Sequence, residues 1–127
     1  MKRTWLPLAM AAALYGADVT GNWTGNVEVT DPGSGEKIIT PVKAQFEQAA
    51  STVSGKIGRA QDQELEAIRN GKLDGDTLTF EVQPPEATSP MKFNLVLVRQ
   101  DHLEGEMRGA IDSGNIAGKV TLDRARQ

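Results

Sequence analysis

The chain has 127 residues, 14 Lys and Arg against 17 Asp and Glu, one His and no Cys, with a formal net charge of −3. That length suits one domain. Without cysteine there is no disulfide, thiolate metal site, thiol catalysis or cysteine-borne lipid anchor, and the acidic balance disfavours nucleic acid and anionic membranes, which need a basic face.

Residues 1–17 read as a segment apart. Lys2 and Arg3 precede an uncharged, mostly apolar run from Thr4 to Tyr15, followed by Gly16 and Ala17. This is the pattern of a secretory signal peptide. The run is shorter than the roughly 20 apolar residues of a membrane span; an uncleaved anchor is the alternative. Cleavage between Ala13 and Ala17 leaves residues 18–127 as a single secreted or periplasmic domain, with 12 basic against 17 acidic residues and no membrane attachment in the mature form.

The mature part alternates bulky apolar residues and glycine at every second position, as in Val19-x-Gly21-x-Trp23-x-Gly25-x-Val27 and Leu103-x-Gly105-x-Met107-x-Gly109-x-Ile111. A period of two means strands with one buried face. Glycines on that face predict strongly coiled strands. The first strand is expected over Val19–Val29, before the turn-rich Asp31–Glu36. The second covers Ile38–Phe46, where Pro41 argues for an edge, a bulge or a late start. The third covers Thr52–Arg59. The fourth covers Leu65–Leu73; a short helix over Gln61–Asn70 is the alternative, because Leu65 and Ile68 are three apart. Asp74-Gly75 is a hairpin signal leading to a fifth strand, Thr77–Val82. Gln83–Pro90 holds three prolines and is the longest loop. The sixth strand, Lys92–Arg99, is apolar on both faces at Leu95–Val98, which predicts a cover on its outer side. The seventh runs Leu103–Ile111 after a turn at Asp101-His102. The eighth runs Ile116–Arg124, with Ile116, Gly118, Val120, Leu122 and Arg124 on one face. Together these predict an all-β, eight-stranded antiparallel up-and-down barrel; a two-sheet β-sandwich is the alternative.

Gly21-Asn22-Trp23 near the start and Arg124 at the end of the last strand resemble the calycin superfamily: lipocalins, fatty-acid-binding proteins and avidins. Those barrels carry a G-x-W motif in the first strand, with a basic residue of the last strand packed over the tryptophan. The chain is similar to small secreted lipocalin-like domains of bacterial exported proteins. In an up-and-down barrel the first and last strands are neighbours, so topology also places Arg124 beside Trp23, where a guanidinium stacks on an indole. The resemblance implies a structural role for Gly21, Trp23 and Arg124 at a closed end. It implies no ligand, because the tryptophans and tyrosine that hold biotin in avidins have no counterparts here. The Arg-and-Tyr group of fatty-acid-binding proteins is missing as well.

With that end closed, the mouth lies at 31–37, 58–64, 83–90 and 112–115, and Val29, Arg59, Gln83, Lys92 and Ile111 are the rim candidates. A small apolar or amphipathic ligand entering there is the first functional expectation. The alternative is a filled interior and a protein-interaction or accessory module without a small-molecule site, with a second copy or another protein bound through Leu95–Val98. No enzyme activity, cofactor or metal is expected. His102 is read as a surface turn residue. The pairs Glu104/Glu106 and Glu64/Glu66 are read as solvent-facing. Asp74-Gly75-Asp76 and Asp31-x-x-Ser34-x-Glu36 are explained by turn chemistry rather than calcium binding. No nucleophile-elbow, zinc-protease or phosphate-loop motif is present.

Overall fold

The computed structural model describes residues 18–31, 33–85, 87–111 and 114–125; the signal-peptide expectation for 1–17 falls outside them. Nine strands follow in chain order: β1 Gly21–Thr30, β2 Lys37–Ala49, β3 Thr52–Arg59, β4 Glu66–Ala67, β5 Arg69–Asp74, β6 Thr77–Val82, β7 Met91–Arg99, β8 His102–Ile111 and β9 Gly114–Arg124. All pairings are antiparallel, in the order β2-β1-β9-β8-β7-β6-β5-β3-β4, and β2 also pairs with β3. That last pairing, from Val42↔Arg59 to Ala49↔Thr52, closes the sheet on itself and removes the sandwich alternative. β4 and β5 pair with the same strand, β3. They are two pieces of one strand, so the wall is an eight-stranded up-and-down barrel.

No helix is present among the described residues, so the helical alternative for 61–70 is overturned. Ile68 reaches the core through a bulge instead. Between Val53 and Lys56 β3 has two residues, and the facing segment between Gly71 and Ala67 has three. The register against β6 slips at the same place, and Asn70 takes φ +56°. The extra residue swings Ile68 inward, where it is buried and its N–H donates to Gly55 O at 2.9 Å. A second slip, between Leu97 and Arg99 of β7, leaves Val98 as the odd residue. This accounts for the two-faced Leu95–Val98 run: Leu95 and Leu97 point inward, Val96 outward, and Val98 sits on the bulge. Among the described residues the expected cover is not there, since Val96 and Val98 are 43% and 50% exposed.

The inward glycines bend the wall. A Cβ on Gly25, Gly55, Gly71 or Gly105 would lie 1.8–2.0 Å from the carbonyl oxygen of Thr121, Gln45, Val53 or Asn94, each on the neighbouring strand. Only a residue without a side chain lets adjacent backbones coil this tightly. β2 runs unbroken through Pro41, which is possible because Pro41 stands just where β3 runs out. Its missing N–H would have pointed to a side with almost no partner left.

Candidate functional site

The closed end is built on Trp23, which is fully buried. Its indole N–H donates to Val19 O at 2.9 Å. Arg124 lies directly opposite in the ladder, Trp23↔Arg124, with its guanidinium carbon 4.5 Å from the ring centroid. The guanidinium donates to the carbonyls of Asp18 (2.7 Å), Gln100 (2.8 Å) and Thr20. Gly21 makes room: a Cβ there would meet an Arg124 guanidinium nitrogen at 3.0 Å. Glycine, indole and guanidinium thus form one device, tying the segment just before β1 and the β7–β8 turn to the last strand.

Above it the lumen is apolar. Phe46 and Phe80 stand 5.6 Å apart, and Phe80 stacks on Phe93 at 4.7 Å with an 11° interplanar angle. Leu78, Leu95, Leu103, Leu122 and Val120 fill the space around and below, and no polar or charged residue is buried among the described residues. At the mouth, half-buried Val29, Met91 and Ile116 pack onto this core. Met91 occupies the space beside Gly109, and Val29 the space beside Gly118.

The rim candidates take separate roles. Val29 is inward and pairs with Ile38. Arg59 is exposed and holds Asp62 at 3.2 Å. The Gln83 side-chain amide donates to Ala87 O at 3.0 Å, bracing its own loop. Lys92 points away from the lumen, and the Ile111 backbone pairs with Gly114. The side chains of Val29, Arg59, Gln83 and Lys92 do not converge on one point.

Concave sites bounded by described residues lie on the outside of the wall. One is an open groove of about 630 Å³ over the Gly105 pinch, bordered by Asn70, Glu81, Lys92, Val96 and Arg108. A second, near the mouth, lies between Pro90 and Asn115. The Glu104 and Glu106 carboxylates are more than half exposed, and Glu64 and Glu66 are also on the surface. No group of three His, Asp or Glu suited to a metal ion occurs among the described residues.

His102 is the first residue of β8 rather than a turn residue. Its Nδ1 lies 2.7 Å from Asp123 Oδ1 and its Nε2 3.0 Å from Glu104 Oε2. Only the imidazolium donates both bonds. These hydrogen bonds, Asp123 first and then Glu104, raise its pKa above the ordinary 6.5 against a smaller opposing effect of burial. A raised folded pKa gives stability that is complete below the ordinary value and disappears as pH climbs through the raised one. His102→Gln is therefore expected to cost a few tenths to about 1 kcal/mol at pH 5.5 and nothing at pH 9, by urea denaturation. A deficit that widens toward pH 9 contradicts this.

No family model matches the chain, and no curated protein matches it either. Sequence reasoning missed the outer groove, and in β2 it missed Lys37 and the last three residues, Glu47–Ala49. The groove depends on how far β5–β8 curve, which no local signal gives. Pro41 did carry a signal for β2, since it marks where an edge begins.

Proposed function

We propose that this chain is an exported, calycin-like barrel without catalytic activity that works through its outer surface as a protein-interaction module. The observation that carries the reading is where its large apolar side chains stand. The lumen is occupied by stacked Phe80 and Phe93 and by close-packed aliphatics, with no buried polar residue among the described residues to orient a guest. Ile39 on β2 and Val96 and Val98 on β7 stand exposed on the outer face, and Ile38, on the same face as Val29, stands exposed at the mouth; exposed apolar side chains are associated with interaction sites where they form a patch. Export to a secreted or periplasmic location rests on the leader-like residues 1–17, and calycin kinship on the Gly21, Trp23 and Arg124 device.

A second reading places a small apolar ligand at the mouth. Its motive is that Val29, Met91 and Ile116 are only half-buried and that Met91 is flexible enough to move aside. Titration of the protein with a fluorescent fatty acid and with retinol separates the two. The interaction reading expects no saturable signal at micromolar protein. One-to-one saturation, lost in Met91→Lys, supports the mouth and overturns the first reading.

A further inference from the structure

β2 outruns its neighbour. β3 ends at Arg59 opposite Val42, and the last main-chain bond on that side runs from Ala60 N–H to Pro41 O at 2.9 Å. Lys37–Thr40 therefore has β1 on one side and, among the described residues, no strand on the other. In an antiparallel ladder the N–H and C=O of one residue point the same way, and successive residues alternate. Glu36 O accepts from Asp31 N–H on the β1 side, and Pro41 O is used on the β3 side. Ile38 and Thr40 thus bond to β1, while the N–H and C=O of both Lys37 and Ile39 face the open edge. Such a row is a template for another strand unless charge, proline or a cover blunts it. Pro41 blunts one end only, and Ile38 and Ile39 are 49% and 60% exposed.

We propose that the Lys37–Thr40 edge pairs antiparallel with the same edge of a second copy, about a two-fold axis at Ile38. The proposal rests on the reading that the barrel works through its outside, and names the partner. The register follows from which groups are available. Lys37 opposite Ile39 of the second copy satisfies all four edge-facing groups on each chain with four hydrogen bonds. A shift one way sets Lys37 against Pro41, which has no N–H and whose carbonyl Ala60 already uses. A shift the other way sets Ile39 against Gly35, whose N–H is bonded to Asp31 O at 2.8 Å. In the remaining register the two Ile38 side chains meet at a non-hydrogen-bonded pair, where side chains approach most closely. Each Lys37 stem lies along Ile39 of the other chain on the opposite face. Glu28, 3.7 Å from the Lys37 ammonium, offsets its charge within each hairpin. The Val96/Val98 face offers no such match, because β7 is paired on both edges.

The contact is small beside the roughly 1,200 Å² of stable interfaces, so dimers should appear between about 10 µM and 1 mM protein. Sedimentation equilibrium and amide hydrogen exchange across that range test it. The weight-average mass should rise with concentration. The Lys37 and Ile39 amides should become protected in step, while Ile38 and Thr40 stay protected throughout. Ile39→Pro removes an edge-facing N–H and leaves the β1–β2 ladder intact, and should weaken association at least tenfold. Ile39→Lys, which keeps the backbone and sets two lysines side by side, should do the same. A monomer at 1 mM overturns the proposal. So does association in which the Lys37 and Ile39 amides exchange freely at every concentration, and that outcome leaves the interaction reading standing on another face. Failure of the reading itself shows separately, as saturable uptake of retinol or fatty acid.

Discussion

Trp23→Ala should lower the stability of the barrel by about 3–5 kcal/mol, the range for removing a large aromatic side chain from a core, measured by urea denaturation followed by far-UV circular dichroism. The indole is wholly enclosed, fills the bottom of the lumen and gives its N–H to Val19 O. Truncation leaves a cavity and an unmade hydrogen bond together. It also strips the platform from Arg124, a contact of about 0.5–2 kcal/mol. Arg124→Lys should recover little of what Arg124→Ala loses, because one ammonium on a flexible stem cannot span the carbonyls of Asp18, Thr20 and Gln100 as a planar guanidinium does. A Trp23→Ala cost below about 1 kcal/mol would mean that the closed end is not organised around the indole.

Gly105→Ala should cost about 3 kcal/mol, an unusual penalty for adding one methyl group. The new carbon would stand 2.0 Å from Asn94 O and 2.8 Å from Leu95 Cα. Both belong to the paired strand β7, so relief requires β7 and β8 to move apart and the ladder to open. Gly109→Ala is the matched control on the same strand and face. Its nearest neighbour is Met91 Cγ at 2.9 Å, part of a flexible side chain that can turn aside, while the nearest backbone atom, Met91 Cα, is 3.4 Å away, and the cost should stay below about 1 kcal/mol. Equal losses at the two positions would show that the wall is not pinched at Gly105.

The repeating pattern made the architecture readable. Val19-x-Gly21-x-Trp23 and Leu103-x-Gly105-x-Met107 announce strands, an inward face and tight coiling, and the up-and-down order then puts Arg124 opposite Trp23. Irregularities were not readable in the same way. A bulge adds one residue and inverts the alternation after it, so Ile68 mimicked a helical spacing and Val98 mimicked a second buried face. Pro41 left an edge, a bulge and a late strand start all open, because its effect depends on whether a neighbour needs its N–H, and that is set by where β3 ends, many residues later. The choice between an empty and a filled lumen was also beyond the sequence. It turns on the distance between opposite walls, which the glycine pinches set jointly, and on the stacking of Phe80 against Phe93 from adjacent strands.

Recognition from outside requires a lumen occupied by the barrel's own side chains. Xenon under pressure enters apolar cavities that are large enough to hold it, so diffraction from xenon-pressurised crystals probes this directly. No xenon site should appear within the space bounded by Phe80, Phe93 and Met107. An ordered xenon atom there, between Phe93 and Met107, would show a vacancy in the barrel and return the function to a small apolar guest.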